Sequence, residues 1–521
     1  MRHVTGQSDG KADIILMYPK TGLDIGGHTV APPHSILAVA APVHKAGYRV
    51  KIIDMRRDPH WAATLAQSLC RETICVGIST MTGTQIYFAL IMAREARRLT
   101  DGRVPIVWGG PHASILPEQT LQDEHVDMVV VGEGEETFLE LVGALEHHRP
   151  LDGILGLGYK DGGQVKVNPP RPLLDVDGLL PVPWELIDVE RYINPDNYFL
   201  KDSPRTLDIG QTSRGCPHRC GFCCASSILE KRWRPMTVER ALEAILEPVK
   251  RFDLTGVWIR DDEFYVKNDR AFTICERIVN SPYDIRWYAT GSRVDDFNRA
   301  TDEQLELIKR SGGRVMKFGA ESGNDRILDL IQEGFHVEDT LRANQRCKQH
   351  GIVPAYSLII GFTTETIEEI NNTIDFGFRL KRENPDAQLE TFPTYTAFPR
   401  TPMYPLVLEH GLRPPESLPG WIDWILDDYD LEGRQVPWFD ARQRRWIGNI
   451  CYMSILANAV DNIQGGIRNR LWRGMFKTVL GSLQGYYRFR LRHKMYKTVP
   501  ELRIARHLRK KIFYRSTSMI E

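Results

Sequence analysis

Short apolar runs that alternate with helix-like segments constrain the fold of this 521-residue chain more than any other feature. In the first 150 residues, segments with a helical pattern, such as residues 35–46 and 84–98, separate these runs. Parallel strands that are buried on both faces have this near-continuous apolar character. The pattern predicts an α/β fold that begins with a doubly wound, Rossmann-like sheet over residues 1–150. Its predicted strands are residues 13–18, 49–54, 74–79, 104–108 and 126–131.

The same alternation returns in residues 206–405. A helix is predicted over residues 237–250, with Thr237 as its N-cap. Closed parallel barrels contain eight β/α units, whereas about six units fit this region, so we expect a partial (β/α)6 barrel. The predicted strands are residues 207–212, 256–260, 286–290, 314–319, 355–360 and 388–392.

A linker and a C-terminal region complete the predicted organisation. Residues 151–205 are rich in Gly, Pro and Asp, which indicates a small β excursion and a crossing linker. Residues 406–521 predict a helical domain that covers the open side of the barrel, with amphipathic helices that begin at residues 421–425. From Arg468 onward, about fifteen Lys and Arg residues stand against two carboxylates. A nucleic-acid arm or a membrane-surface helix is one interpretation, but a helical lid with a solvated basic face is favoured.

Composition and charge narrow the class of protein. The formal net charge is zero, so the chain as a whole has no electrostatic attraction for nucleic acid or for a membrane. We find no run of about 18 apolar residues that could form a spanning helix. Residues 1–10 lack the apolar core of a signal peptide. Nine cysteines without a secretion signal indicate cytosolic thiols and a cluster site, so a cytoplasmic protein is expected.

Three cysteines in eight residues are the strongest chemical signal. Cys216, Cys220 and Cys223 form a CxxxCxxC set in a loop after a predicted strand. A closed [4Fe–4S] site uses four cysteines and a structural zinc site uses four ligands, whereas adjacent Cys224 is poorly placed to reach the same metal. The spacing predicts a cluster with one open iron. A zinc knuckle that includes His218, or a disulfide framework in an oxidising compartment, is less favoured.

The CxxxCx(aromatic)C pattern, with Phe222 before the last cysteine, resembles the signature of radical S-adenosylmethionine (SAM) enzymes. In that family, the methionine amine and carboxylate of SAM chelate the open iron. The resemblance therefore implies a [4Fe–4S] cluster and SAM as cofactors.

Polar residues follow four of the predicted barrel strands, at positions 261–263, 292–293, 321–323 and 361–363. A carboxylate at one strand end is usually solvated or paired with Lys or Arg, but four such ends in one barrel indicate a ligand. The ammonium and ribose hydroxyls of SAM are groups that carboxylates bind. By resemblance, the SAM-binding positions are Phe222, Asp262, Glu263, Arg293, Glu321, Ser322, Ile360 and Gly361.

The resemblance also implies a role for each group of positions. Residues 261–263 stand where the family holds the methionine amino group, and Arg293 matches an arginine that faces the methionine carboxylate. Residues 319–323 resemble a GxESG segment that contacts ribose and methionine. Residues 359–361 resemble the adenine-binding strand, but the usual Pro-Gly-Glu is replaced by Phe-Thr-Thr-Glu at 362–365. Backbone contacts with adenine are expected to survive this change.

Glycines and polar residues also follow the predicted N-terminal strands. A Gly pair lets a ligand approach the backbone closely, although a tight turn explains a single pair equally well. No GxGxxG opens the first helix, so a dinucleotide site is not indicated. Residues 107–112 and 126–135 resemble the cobalamin-binding domain that precedes the barrel in B12-dependent radical SAM enzymes. The implied cobalamin-binding residues are Ser79, Thr80, Thr82, Gly109, Gly110, His112, Gly132, Glu133 and Gly134.

The DxHxxG motif that supplies a histidine to cobalt in other B12 proteins is absent. His28 and His34 lie in the loop after the first predicted strand. For either residue, a solvated loop histidine is favoured over a cobalt ligand.

The resemblance covers roughly residues 12–405 and is to the branch with anaerobic magnesium-protoporphyrin monomethyl ester cyclase and radical methyltransferases. It implies a methyltransferase in which a 5′-deoxyadenosyl radical removes hydrogen from an unactivated carbon, which methylcobalamin then methylates. A B12-dependent cyclase, hydroxylating or ring-rearranging enzyme is the first alternative. An iron–sulfur nucleic-acid-binding or sensor protein is the second. The implied partners are a small-molecule substrate, for which the basic residues suggest an acidic group, and an external electron donor such as flavodoxin or ferredoxin; no nucleic acid is expected.

Overall fold

The structure is a computed structural model that describes residues 10–21, 31–195, 197–424, 430, 433–462 and 470–502. It contains two large sheets that follow each other along the chain. A search of the described residues finds no helix with both the length and the hydropathy to cross a membrane.

The first sheet has seven strands in the order β2-β1-β3-β4-β5-β6-β7. Strands β1 to β5 pair in parallel, and β6 and β7 add an antiparallel hairpin at one edge. The strands are β1 (Ile14–Tyr18), β2 (Val50–Asp54), β3 (Cys75–Ser79), β4 (Ile106–Gly109), β5 (Met128–Val130), β6 (Leu157–Asp161) and β7 (Gln164–Val167). The helices are α1 (His34–Lys45), α2 (Trp61–Ser68), α3 (Thr84–Thr100), α4 (Pro111–Ile115), α5 (Pro117–Gln122) and α6 (Glu135–Glu146).

Alternate side chains of β1 enter two different cores. Ile14 and Leu16 pack in a cluster that includes residues of α1 and α6, whereas Ile15 and Met17 pack in a cluster that includes residues of α3. Successive side chains of a strand point to opposite faces, so helices on both faces explain why the run is apolar throughout. The predicted doubly wound sheet is confirmed, although β6 and β7 continue it to Val167, beyond the predicted end at residue 150.

The second sheet has six parallel strands in the order β15-β14-β13-β12-β11-β8. This confirms the partial barrel with six strands. Its strands are β8 (Thr206–Gly210), β11 (Gly256–Ile259), β12 (Arg286–Ser292), β13 (Gly313–Glu321), β14 (Val353–Leu358) and β15 (Gln388–Leu389); a two-stranded ladder joins β9 (Ser213–Arg214) and β10 (Arg234–Pro235). The helices are α7 (Ala225–Ile228), α8 (Val238–Phe252), α9 (Asn268–Val279), α10 (Val294–Asn298), α11 (Asp302–Arg310), α12 (Asp325–Leu330), α13 (Val337–His350) and α14 (Ile367–Glu383).

Thr237 caps α8 as predicted, because its side chain accepts a hydrogen bond from the Arg240 amide at 3.4 Å. The N-cap satisfies one of the backbone donors that a helix leaves unpaired at its start. The cap fixes where the chain turns after β10, next to the space between the two sheets.

The C-terminal region consists of α15 (Tyr404–Glu409), a 3₁₀-helix (Leu418–Asp423), α16 (Ala441–Asn462) and α17 (Arg470–Arg492). The predicted amphipathic α-helix at residues 421–425 is wrong for the described part of that segment. Trp421 instead lies within the 3₁₀-helix Leu418–Asp423, which has Pro419 in its first turn and Gly420 directly before Trp421. Glycine disfavours a continued α-helix, and residues 425–429 lie outside the described residues.

Candidate active site

The cysteine loop runs between β9 and α7 and is fixed by its glycines. Gly215 has a φ of 81°, and a Cβ there would lie 2.1 Å from the Arg232 carbonyl oxygen. The Gly221 amide donates to the Ile331 carbonyl at 2.6 Å, and the Gly221 carbonyl accepts from the Met403 amide at 3.0 Å. The loop is therefore held by distant backbone segments that adjoin α12 and α15.

The donor set in this loop fits an iron–sulfur cluster. Cys216, Cys220 and Cys223 are half-buried, and none of the nine cysteines forms a disulfide. Burial raises the pKa of Cys216 to about 12, so binding as a thiolate requires a metal that displaces the proton. No three His, Cys, Asp or Glu side chains of the described residues converge on a single metal ion. A cluster takes each cysteine on a different iron, so its three ligands need not converge on one ion.

Arg293 lies beside the cysteine loop rather than on a free surface. Its Nη1 is 3.4 Å from the Cys220 Sγ and 2.9 Å from Glu333 Oε1, and its Nε donates to Asp295 at 3.0 Å. Its Nη2 donates to the Glu333 carbonyl. The sequence did not identify Glu333, because it follows α12 in a loop and no strand-end pattern marks it. The guanidinium that was expected to face the methionine carboxylate therefore also contacts Cys220, a predicted cluster ligand.

The three acids after β11 have separate environments. Asp261 accepts hydrogen bonds from the side chains of Thr212 and Ser213, at 2.8 and 2.6 Å. It therefore fixes the start of the cysteine loop. Asp262 accepts from the Gly215 amide at 2.8 Å and lines the larger cavity described below. Glu263 is buried, and its pKa rises to about 8 because of that burial and the nearby charge of Asp296.

Glu321 ends β13 with its carboxylate turned back over the strand. It has a φ of 53°, and a Cβ on Gly319 would lie 2.4 Å from Glu321 Oε1, so the glycine makes room for the carboxylate. Glu321 Oε2 is buried without a hydrogen-bond partner among the described residues. Burial and then the charge of Glu333 raise the Glu321 pKa well above its usual value. Such an acid suits a cationic ligand, and the ammonium of SAM is one.

Ser322 faces the protein interior. Its Oγ lies 3.2 Å from Thr373 Oγ1 of α14, and it accepts from the Asn324 amide at 3.2 Å. Its side chain is fully buried. The expected direct contact between Ser322 and SAM is therefore not supported by the position of its side chain, which anchors the turn after β13 to α14.

The predicted adenine strand is largely occupied by protein contacts. The Ile360 amide donates to the Pro393 carbonyl, and the Ile360 carbonyl accepts from the Tyr395 amide. The Gly361 amide donates to Glu365 at 2.6 Å, and its carbonyl accepts from the Trp438 indole at 3.2 Å. Backbone contacts with adenine stay a prediction, and at Ile360 and Gly361 only the second lone pairs of the two carbonyls remain for them.

Phe222 connects the cysteine loop to this strand end. Its ring centroid lies 6.0 Å from that of Phe362, which lies 4.9 Å from that of Tyr395. Phe222 is half-buried and Phe362 is fully buried. These rings form an apolar wall between the predicted cluster and the end of β14.

A cavity of about 240 Å³ opens at the carboxyl ends of β3, β4 and β5. Gly110 has a φ of 92°, and a Cβ there would lie 2.6 Å from the Thr80 carbonyl oxygen. Apolar side chains such as Leu16 and Phe138 form much of the wall, which suits a flat ring system. Six predicted cobalamin residues line this cavity: Ser79, Gly109, Gly110, Gly132, Glu133 and Gly134.

Thr80, Thr82 and His112 are not among the residues that line either large cavity. His112 is fully buried, with its Nδ1 2.9 Å from Thr82 Oγ1 and its ring edge against Trp421 at 5.8 Å. Burial lowers the His112 pKa to about 4, so the ring is neutral at physiological pH. Their contact with cobalamin stays a prediction, which the lining of these two cavities does not support.

A second cavity, of about 1330 Å³, separates the strand ends of the first sheet from those of β8 and β11. It continues from the smaller cavity, because the two share lining residues: Ser35, Ala38, Ser79, Pro111, Glu135, Gln211 and Arg214. The smaller cavity has room for one flat ring system, and the larger cavity has room for a macrocycle. Cobalamin requires one space of each kind. The residues present thus fit this cofactor.

His34 lines the larger cavity, but its side chain is hydrogen-bonded to Asp208 of the barrel strand β8. Its Nε2 lies 3.0 Å from Asp208 Oδ1, and Asp208 also accepts from Arg260 at 2.7 Å. The His34 ring stands edge-on to Trp184 at 6.0 Å. The sequence favoured a solvated loop histidine at this position, and the structure corrects this to a half-buried contact between the two sheets. His28 lies outside the described residues.

Glu133 links the first sheet to the strand that leads into the cysteine loop. Its carboxylate accepts from Arg214 at 2.9 Å and from Arg234 at 2.8 Å. Glu135 adds a second bond to Arg214, at 2.5 Å. Burial opposes ionisation of Glu133, but the hydrogen bonds from Arg234 and Arg214 outweigh it and lower the pKa. The sequence identified Glu133 but not its two arginine partners, which follow no recognisable motif.

Sequence comparisons agree with this arrangement. The chain matches the family model of the B12 binding domain over residues 27–142 and that of the radical SAM superfamily over residues 211–377. It is 34% identical over 387 residues to an uncharacterized methyltransferase from Pyrococcus horikoshii, an alignment that covers 74% of this chain and 80% of the relative. It is 27% identical over 406 residues to the anaerobic magnesium-protoporphyrin IX monomethyl ester cyclase from Rubrivivax gelatinosus, with 74% and 68% covered.

Among solved structures, the fold resembles that of OxsB, a cobalamin-dependent S-adenosylmethionine radical enzyme determined with aqua-cobalamin and S-adenosylmethionine bound. The TM-score is 0.72 at 17% identity, and the match covers 97% of this chain and 75% of that one. At this identity the likeness shows a shared fold. With the two family models and the 34% identical relative, it establishes that the chain belongs to the cobalamin-binding radical SAM enzymes, whose cofactors are a [4Fe–4S] cluster, SAM and cobalamin.

Proposed function

We propose that this enzyme transfers a methyl group to an unactivated carbon of a small-molecule substrate. The observation that carries the proposal is the continuity of the two cavities with the cysteine loop. Arg214 lines both cavities and immediately precedes the loop at Gly215. The first sheet and the barrel therefore present their strand ends to one space, where a cobalamin-bound methyl group and a SAM-derived radical could act on the same carbon.

When bound, the cluster and SAM supply a 5′-deoxyadenosyl radical, and methylcobalamin supplies the methyl group. The chain's own residues then bind and orient these groups. Cys216, Cys220 and Cys223 hold the cluster, while Glu263 and Glu321 offer buried carboxylates to the cationic part of SAM. The glycines around the smaller cavity let cobalamin approach the backbone, and the larger cavity leaves space for the substrate between the two sheets.

The 34% identical relative is described as a methyltransferase, which supports methyl transfer. The relative at 27% identity is a cyclase, which keeps a reaction without methyl transfer as the second candidate. A small-molecule substrate and an external electron donor such as flavodoxin or ferredoxin complete the proposal. Membership in an enzyme family argues against the alternative of an iron–sulfur sensor.

The test uses anaerobically purified enzyme with its cluster and cobalamin, a chemical reductant, a cell extract as the source of substrate, and SAM with a deuterated methyl group. Methyl transfer predicts a product heavier by one labelled methyl in place of hydrogen. It also predicts one 5′-deoxyadenosine and one S-adenosylhomocysteine per product. A product without the label, formed with 5′-deoxyadenosine but no S-adenosylhomocysteine, would favour the cyclase-type reaction and reject methyl transfer.

A further inference from the structure

Arg293 has few hydrogen-bond donors left for a ligand. A guanidinium has five N–H donors. In this structure, Nε donates to Asp295 and Nη1 to both Glu333 and the Cys220 Sγ, while Nη2 donates to the Glu333 carbonyl. Four of the five donors are therefore used within the described protein, and the fifth belongs to Nη2. One remaining N–H cannot form the two parallel hydrogen bonds by which an arginine binds a carboxylate in the bidentate mode.

The surroundings fix the guanidinium in this position. Arg293 is 7% exposed and Glu333 is 5% exposed. The guanidinium carbon lies 5.3 Å from the centre of the Phe335 ring. Because the Ile331 carbonyl also accepts from the Gly221 amide at 2.6 Å, the segment that carries Glu333 is tied to the cysteine loop itself. The Arg293–Cys220 contact therefore belongs to one rigid assembly.

We infer that Arg293 is a positioning and redox-tuning residue of the cluster, held by Glu333, and not primarily a ligand of the SAM carboxylate. Hydrogen bonds to cluster sulfurs and the net charge around a cluster help to set its reduction potential. Reduction adds an electron, so a buried cation at a ligand sulfur stabilises the reduced cluster and raises the potential. The inference concerns the cluster and is independent of whether the reaction transfers a methyl group.

The chain provides a matched control at the other end of the same short helix. Arg299 follows α10, as Arg293 precedes it, and pairs with Asp295 and Asp296. Its side chain is 56% exposed, and it makes no hydrogen bond to a cysteine within the described part of the chain. Arg299→Gln therefore removes the same charge near the site without removing a bond to sulfur.

The experiment measures the midpoint potential of the reconstituted cluster without SAM, by titration followed by electron paramagnetic resonance, after iron content has been matched. Arg293→Gln should shift the potential to a more negative value, by clearly more than Arg299→Gln does. Arg293→Lys, which keeps the charge but loses the planar fork, should give an intermediate shift. If Arg293→Gln does not retain its cluster, the comparison rests on Arg293→Lys against Arg299→Gln.

A carboxylate-binding role alone gives a different pattern. In that case the SAM-free potential of the Arg293 variants matches that of Arg299→Gln, and only the affinity for SAM falls. That result would overturn the inference. Iron content and potential are both measured without substrate, so the proposed methyl transfer can fail while this inference holds, and the reverse.

Discussion

At the scale of single residues, two buried carboxylates of the site, those of Glu263 and Glu321, have no ion pair among the described residues. Glu321 has an oxygen without a partner among those residues, and Glu263 accepts a backbone amide hydrogen bond from Tyr265 at 3.1 Å. Burying an ionised group without a partner is costly, so such groups shift their pKa instead. A bound ammonium would restore the ionised form of either acid. The site is thus preorganised for a cation, which agrees with SAM as the cofactor.

Cluster binding should depend on Cys220 and not on Cys224. Cys220 contacts Arg293 within the three-cysteine loop, whereas Cys224 begins the turn into α7 as its N-cap residue. Cys220→Ala should lose the cluster and abolish SAM cleavage, while Cys224→Ala should keep both. Iron and sulfide analysis of the anaerobically reconstituted proteins measures this. Full iron content with normal SAM cleavage in Cys220→Ala would contradict the assignment.

Glu365 should make the protein less stable as pH rises. Burial raises its pKa to about 8, against the opposing hydrogen bonds from the Gly361 and Phe362 amides. In the unfolded chain its pKa lies near the ordinary value of about 4.3. Between these two values the folded state binds the proton and the unfolded state does not. The free energy of unfolding therefore falls with increasing pH, by up to about 1.4 kcal/mol per pH unit.

Glu365→Gln tests this sign, because a glutamine oxygen can accept from the same two amides without ionising. Relative to the wild type, the variant should gain stability progressively from about pH 5 to about pH 8, with little difference at the acidic end. Denaturant unfolding at several pH values measures it. A constant difference across the range would show that Glu365 does not titrate in this interval.

Local pattern predicts which residues lie at the ends of strands. The carboxyl ends of parallel strands share one edge of a sheet, so Ser79, Gly109 and Glu321 could be placed at strand ends from local pattern alone. The direction of a side chain depends on distant partners that no local pattern encodes. Ser322 turns toward Thr373, and His112 turns toward Trp421. The roles assigned to individual site residues remain predictions.

At the scale of elements, the two sheets are joined by charge close to the predicted cofactor sites. Glu133 lies at the end of β5, and its partners Arg214 and Arg234 belong to the β9–β10 ladder. The same carboxylate accepts from the Leu174 amide at 2.8 Å in the segment between the sheets. One acid therefore holds three parts of the chain around the smaller cavity. Sequence reasoning found the strand but not this connection, since the arginines are about 80 to 100 residues away in sequence.

Glu133→Ala should weaken this junction, because it leaves partly buried arginines without their carboxylate. Loss of one partner from a buried pair costs about 3–5 kcal/mol, and we expect a loss toward the lower end because Glu135 still pairs with Arg214. Glu136→Ala is the control, since Glu136 is 59% exposed and pairs with Arg171; such exposed pairs contribute about 0–1 kcal/mol. Denaturant midpoints and cobalamin retention after gel filtration report the effect. Equal behaviour of the two variants would argue against the junction.

At the scale of the whole molecule, the C-terminal helices cover the open edge of the partial barrel. Ser454 of α16 accepts from the Phe392 amide at 2.9 Å, and Asn458 donates to the Glu390 carbonyl at 3.0 Å. These bonds satisfy backbone groups just beyond β15, at the edge of the six-stranded sheet. The turn after α17 contacts α14 through Lys494 and Asp375. The sequence analysis predicted helices that cover the open side of the barrel, but it could not predict which backbone groups beyond β15 they contact.

The segment before α16 also reaches the active side of the barrel. The Trp438 indole donates to the Gly361 carbonyl at 3.2 Å, and its ring lies 6.2 Å from that of Tyr395. The side chains of Val436 and Ile447 lie close to Gly361 as well. This placement supports the proposal that the C-terminal region is a lid. A lid excludes water and stray hydrogen donors from a reactive intermediate.

Trp438→Ala should therefore uncouple SAM cleavage from product formation. The variant opens the wall at Gly361, so more 5′-deoxyadenosine should form per product, while iron and cobalamin contents stay at wild-type levels. Trp446→Ala is the matched control, because Trp446 packs on Arg442 and Tyr496 within the C-terminal region and its loss should not change this ratio. Quantifying both products by mass spectrometry decides the question. An unchanged ratio in Trp438→Ala would count against the lid.

The alternative interpretation of the C-terminal region, a nucleic-acid arm, has its own test. It would gain support if a protein that ends at residue 466 turned over normally but lost RNA or DNA binding that weakens steeply with salt.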